Sequence, residues 1–161
     1  MKSLLLIRHS KSSWNNNLID FERPISEEGI NKSIKMAHKT TIFFDNQSLI
    51  WVSASERTVQ TAKIFFSIWN VTTDNQVFYK NELYTFDCNI LEKIIKTCPN
   101  EFDKLILFGH NSAITDFVNK FGDIFIDNVP TSGFVSINFD ADDWQNLRKG
   151  RTEKIIFPRD I

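Results

Sequence analysis

Short apolar runs alternate with longer stretches of helical period along this chain. Ser3 to Ile7 is a continuous apolar run, the pattern of a strand buried on both faces. A polar loop follows, from His9 to about Pro24. Ser26 then stands as a helix N-cap, with Glu27 and Glu28 in the first turn, where the helix dipole favours acids, and Ile30, Ile34 and Ala37 continue at helical spacing. Leu49 to Val52 is a second apolar run that ends in Ser53-Ala54-Ser55. Ser55 is placed to cap a helix carrying Val59, Ala62, Phe66 and Trp69 on one face. Gln76 to Tyr79 forms a weaker third strand, and Ile90, Leu91, Ile94 and Ile95 mark an amphipathic helix closed by Pro99. Leu105 to Phe108 is a fourth strand, ending in Gly109-His110-Asn111, and Ser112 to Phe121 reads as helix. Phe134 to Phe139 alternates as a late strand, and Ile155 to Phe157 is a last one. Strands alternating with helices predict an α/β domain with a mostly parallel central sheet. The late strands have no helix between them, which predicts one antiparallel member.

Composition narrows the class. The chain has 161 residues with no repeat or low-complexity linker, which predicts one domain over 1–161. Its hydrophobic share is 42%, with fifteen phenylalanines, enough for a packed interior without metals or disulfides. A formal net charge of −1 argues against nucleic acid as a partner, because such proteins work through a net basic face. The two cysteines, Cys88 and Cys98, form no CxxC pair and have no histidine at metal spacing, so they read as reduced thiols. The opening run is too short for a signal peptide or a membrane span, and no other stretch approaches membrane length. The expectation is a soluble, cytoplasmic protein with no membrane partner. Its oligomeric state is open.

In open α/β sheets, ligands bind beyond the carboxyl ends of the strands. Just past the four parallel candidates lie Arg8, His9 and Ser10; Ser53, Ser55 and Arg57; Glu82 and Tyr84; and Gly109, His110 and Asn111. Parallel pairing would bring two imidazoles, two guanidiniums and a carboxylate to one edge. That set suits a phosphoryl group, whose charge spreads over its oxygens during transfer. Arginine forks match those oxygens and stay charged, and neutral imidazole is a covalent nucleophile. Any one of these residues alone is an ordinary loop or surface residue. Their joint placement makes the site, and His38, inside a helix and away from every strand end, reads as a plain helix-face residue.

The same residues resemble a family. Arg8-His9-Ser10-Lys11-Ser12-Ser13-Trp14-Asn15 is similar to the opening motif of the histidine phosphatase superfamily, which includes the phosphoglycerate mutases. Arg23-Pro24-Ile25-Ser26 with Gly29, Ser53-Ala54-Ser55-Glu56-Arg57 with Thr61 and Ala62, and Gly109-His110-Asn111 resemble its later motifs in order. The run Lys-Ser-Ser-Trp after Arg-His, and the short length, resemble the SixA-type phosphohistidine phosphatases within it. Asn111 departs from the aspartate that acid phosphatases carry after the second histidine, and Ser10 from the glycine common elsewhere in the superfamily. The resemblance implies a three-layer α/β/α sandwich of phosphoglycerate mutase type. It implies His9 as phosphate acceptor and Arg8, Arg57 and His110 as binders of the phosphoryl oxygens, with Ser12 and Asn15 beside the pocket. Glu82 matches the place where the mutases keep a general acid. No cofactor or metal is implied.

The expected reaction has two steps: neutral His9 attacks phosphorus, and water then releases phosphate from phospho-His9. His9 needs its other ring nitrogen fixed, for instance on a backbone carbonyl, and His110 is expected to be protonated beside the phosphate. Glu82 would donate a proton to the leaving group if burial raised its pKa. Asp20 and Glu22 would instead shape substrate entry, with Trp14, Tyr84 and Phe86 at the rim. The short chain, without inserted helices, predicts an open, shallow site for a phosphorylated protein or a small phosphomonoester. The competing readings are a small-molecule phosphatase or mutase-like phosphotransferase, a non-catalytic phosphate-binding module, and a flavodoxin-like regulator, the last disfavoured by cationic strand ends.

Overall fold

The computed structural model describes residues 1–14, 17–72 and 76–161. Six strands form one sheet in the order β3-β2-β4-β1-β5-β6, with β1 at Lys2–Arg8, β2 at Leu49–Ser53, β3 at Gln76–Lys80, β4 at Lys104–Gly109, β5 at Phe134–Phe139 and β6 at Arg151–Ile156. β3, β2, β4 and β1 pair in parallel, and β5 runs against both β1 and β6. A single strand therefore opposes the rest, as the missing helix between the late strands predicts.

Helices cover both faces, so the central strands are apolar along their whole length. Leu5, Ile7, Ile50, Val52, Ile106 and Phe108 face a core built with α1 (Glu27–Thr40) and α2 (Glu56–Trp69). Leu4, Leu6, Trp51, Leu105 and Leu107 face the opposite core, with α3 (Cys88–Ile95) and α4 (Ala113–Phe121). Two layers of helices on one sheet make the three-layer sandwich. No helix among the described residues is long and apolar enough to cross a membrane.

Two local readings change. In α1 the spacing of Ile30 and Ile34 marks an apolar stripe, yet these residues are 40% and 39% exposed. The buried face carries Gly29, Ser33, Met36, Ala37 and Thr40. It is small and polar near its start because it lies against the loop after β1: a Cβ on Gly29 would stand 2.3 Å from the Lys11 carbonyl oxygen. Ser26 does cap this helix, its hydroxyl accepting the Gly29 amide at 3.0 Å. Ser55 precedes α2 but does not cap it; its hydroxyl turns to the Thr58 hydroxyl at 2.7 Å and to His110. The cap is given up to the site. His38 is exposed on α1, an ordinary helix-face residue.

Candidate active site

Strand register builds the site. Arg8 of β1 pairs with Gly109 of β4, so His9 and His110 are successors of register partners and leave the sheet side by side. Their ring centroids lie 5.2 Å apart. Val52 of β2 pairs with Phe108, which sets Ser53 level with the same edge and lets the short turn into α2 deliver Arg57 in its first turn. The structure thus brings His9, Arg8, Arg57 and His110 together.

His9 is 7% exposed. Its Nδ1 donates to the Ser10 carbonyl at 2.8 Å, because a carbonyl can only accept. The remaining nitrogen, Nε2, carries the lone pair and points to Arg57, whose Nε lies 3.5 Å away. Burial first, and then the charges of Arg57, Arg8 and Arg23, lower the His9 pKa to about 4 against a bond to Ser10 that raises it. The ring is therefore a neutral base at neutral pH. Ser10 is itself anchored: its amide donates to the Thr61 hydroxyl at 2.9 Å, and its own hydroxyl bonds to those of Ser33 and Ser132. Ser10, whose carbonyl orients His9, is held from α1, α2 and the segment before β5.

Arg57 is 3% exposed and bound at its far end by Asp20, with Nη1 donating to the Asp20 carbonyl at 2.7 Å and Nη2 to Oδ2 at 3.1 Å. The same carboxylate accepts from Arg23 Nε at 3.1 Å and Nη2 at 3.0 Å, and from the Tyr84 hydroxyl. Burial pushes Asp20 up, but the bonds from Tyr84, Arg23 and Arg57 outweigh it and hold the carboxyl at about 2. Arg23 is stacked on Trp14, 4.0 Å from the ring centre.

His110 is 2% exposed. Its Nε2 sits among three hydroxyls, Ser53 at 2.8 Å and Ser55 and Thr58 at 3.4 Å. Burial, then the charges of His9 and Arg57, lower its pKa to about 2, with Asp20 opposing. Without a phosphate dianion beside it the ring is neutral, and its hydroxyl neighbours can donate to Nε2 and leave the proton on Nδ1; the cation expected from sequence is that of the phosphate-bound state. Nδ1 is buried with no hydrogen-bond partner among the described residues, and so is Nε of Arg8. The Arg8 guanidinium, lowered from its ordinary value by burial and by Arg57, reaches the Val129 carbonyl through Nη1 at 3.0 Å. Two buried nitrogens without hydrogen-bond partners among the described residues, in one cluster with the lone pair of His9 and the Arg57 guanidinium, make a donor set that can hold an anion.

The other sequence candidates stand elsewhere. The Ser12 hydroxyl accepts from Arg23 Nη1 at 2.7 Å, so it supports Arg23. Asn15 lies outside the described residues. Glu82 is not buried: its side chain is 57% exposed and its carboxylate pairs with Lys80 at 3.5 Å, which removes the burial its donor role required. Tyr84 and Phe86 do reach the site, each with its ring 5.4 Å from that of His110. Beside the site, the turn Asp20–Glu22 and the loop carrying Tyr84 meet through the Asp20 bond and a 5.0 Å contact between Phe21 and Tyr84. Sequence reasoning missed Asp20 as the hub of two arginines, and the segment Val129–Ser132. That segment arrives from the amino end of β5, an end that a search past carboxyl ends skips; the expected antiparallel strand was the signal for it. Among the described residues no group of three or more histidine, cysteine or acidic side chains gathers to hold a metal ion.

This arrangement can be set beside known proteins. No family model matches the chain, and no curated protein matches it by sequence. Solved structures do match. A protein histidine phosphatase SixA complexed with tungstate superposes with a TM-score of 0.78 at 18% identity, covering 98% of each chain. The fold is that of the histidine phosphatases. A SixA phosphohistidine phosphatase candidate from Agrobacterium tumefaciens is similar at TM-score 0.78 and 20% identity, covering 98% of this chain and 99% of that one. A mycobacterial glucosyl-3-phosphoglycerate phosphatase shares the histidine phosphatase fold at TM-score 0.70 and 11% identity, over 95% of this chain and 97% of that one.

Proposed function

We propose that the protein is a phosphatase that hydrolyses phosphohistidine or phosphomonoester substrates through a phosphohistidine intermediate on His9. The observation that carries this reading is the grouping around His9 Nε2. The buried neutral His9 has Arg57 Nε 3.5 Å from Nε2 and the His110 ring 5.2 Å away, while Nε of Arg8 and Nδ1 of His110 are buried without a hydrogen-bond partner among the described residues. Phosphorus bound there meets a lone pair on one side and fixed donors around its oxygens.

In the first step His9 Nε2 forms a bond to phosphorus in line as the bond to the leaving group breaks. The developing charge on His9 is met through Nδ1 by the Ser10 carbonyl. In the second step water attacks phosphorus, the Nε2–P bond breaks and inorganic phosphate leaves. Arg8, Arg57 and His110 donate to the phosphoryl oxygens throughout. His110 does so through Nδ1–H, with its Nε2 held among the hydroxyls of Ser53, Ser55 and Thr58. Asp20 keeps two of the three guanidiniums paired and aimed. Ser12 acts through Arg23, and Asn15 is assigned to the pocket on the motif alone.

The names of the SixA neighbours favour a phosphorylated histidine as substrate, on a protein or free, and the neighbour that acts on a sugar phosphoglycerate favours a small ester as the alternative. The free thiols of Cys88 and Cys98 fit a reducing, cytoplasmic setting. The test is hydrolysis of p-nitrophenyl phosphate by the purified chain with EDTA present. The wild type is expected to turn it over and His9→Ala to lose turnover by at least about 10³-fold. Undiminished turnover in His9→Ala would remove the proposal.

A further inference from the structure

Resting on the phosphatase reading, one question is left by Glu82: which group protonates the leaving oxygen. A phosphomonoester of a poor leaving group needs a proton delivered as its P–O bond breaks. Asp20 has none to give. Its carboxylate is bound by Arg57 at 3.1 Å and by Arg23 at 3.0 and 3.1 Å, and it is ionised. Glu82 is exposed and paired with Lys80. Asn111 stands where acid phosphatases place their donor, but its amide has no acidic proton and is bound to Asn128, Val129 and Thr115.

Tyr84 remains. Its ring packs edge-on against His110 at 5.4 Å and is clamped by Phe21 at 5.0 Å and Phe86 at 5.4 Å. Its hydroxyl donates to Asp20 Oδ2, the same oxygen that accepts from Arg57 Nη2. The phenol thus spans the mouth of the site from the second histidine to the arginine beside the nucleophile. Burial, with the bond and charge of Asp20, raises its pKa, so it keeps its proton at neutral pH.

The geometry points to Tyr84 as the catalytic proton donor to the leaving group, with Asp20 holding its hydroxyl at the mouth of the phosphate site. As Nε2–P forms and the ester P–O bond breaks, the hydroxyl turns from Asp20 to the departing oxygen and transfers its proton. The leaving group departs as the alcohol, and a phenolate remains near the guanidinium of Arg57. In the second step the phenolate takes a proton from the attacking water, whose oxygen bonds to phosphorus as Nε2–P breaks. Phenol and free imidazole are both restored.

The substitution Tyr84→Phe keeps the ring and its packing and removes only the hydroxyl. kcat/KM is measured for wild type, Tyr84→Phe and Glu82→Gln on a series running from p-nitrophenyl phosphate through phenyl phosphate to an alkyl phosphate. The first member leaves well without a proton; the last does not. In Tyr84→Phe the ratio of the alkyl to the p-nitrophenyl rate is expected to fall about 10²-fold. A ratio equal to wild type overturns the assignment, whatever the absolute rates, and so does a fall in Glu82→Gln in its place. A wild type that hydrolyses no member of the series overturns the phosphomonoester reading and this assignment with it. Activity with an unchanged ratio overturns this one alone.

Discussion

His9 shows how one side chain is prepared by its surroundings. Its Nδ1 is committed to the Ser10 carbonyl, and Ser10 is fixed in turn by Thr61, Ser33 and Ser132. Burial and nearby guanidiniums keep the ring unprotonated down to about pH 4. The sign follows from the chemistry. A protonated His9 has no lone pair on Nε2, so the rate falls as pH drops through the folded-state value, and the lowered pKa moves that fall to more acid pH. The acid limb of kcat/KM, corrected for ionisation of the substrate phosphate, is expected near pH 4. A limb near the ordinary histidine value would mean the ring is solvated and the enclosure described here is absent in solution. At this scale the four clustered side chains were legible in the sequence, because each ends or directly follows a strand or opens a helix. Their second layer was not. Ser33 lies mid-helix and Ser132 precedes β5, with nothing in their neighbours to mark them.

The elements carry these residues to one place. β1 and β4 pair with Arg8 opposite Gly109, and that register alone sets the histidines together. Strand runs bounded by His9 and Gly109 were easy to read, since a strand buried on both faces has a continuous apolar signature. α1 was harder: its isoleucines suggested a buried stripe, while contact with the Lys11 loop demanded a small residue instead. That contact yields a prediction. A methyl group at Gly29 would meet the Lys11 carbonyl oxygen at 2.3 Å and must displace either α1 or the loop that begins at His9. Gly29→Ala is expected to cost about 1–3 kcal/mol, read as a lower urea midpoint, and to lower kcat through the displaced loop. A variant with wild-type stability would show that the helix and loop are not in contact. Glu82 failed at this scale too. The position after β3 was right for the edge of the sheet, but the turn Asn81–Leu83 points its carboxylate to Lys80.

Across the whole molecule, the layers explain why so small a chain can bury two histidines and an arginine. Helices on both faces close the sheet. Beside the site two connections, the turn Asp20–Glu22 and the loop through Tyr84, are tied by the hydrogen bond from Tyr84 to Asp20. The sequence showed an absence of inserted helices and so suggested an open site. The loop contact beside it is a tertiary pair 64 residues apart, which no local pattern announces. Polar hydroxyls on the inner side, cationic groups gathered around two imidazoles and the Asp20 carboxylate that pairs with two of those cations suit the proposed event, transfer of phosphorus to an imidazole nitrogen, which would leave a covalent trace. Rapid acid-free quenching of the enzyme during turnover, followed by mass spectrometry of its peptides, should find one phosphoryl group on His9 of the wild type and none in His9→Ala. Turnover with His9 unmodified, or the phosphoryl group on another side chain, would contradict the account.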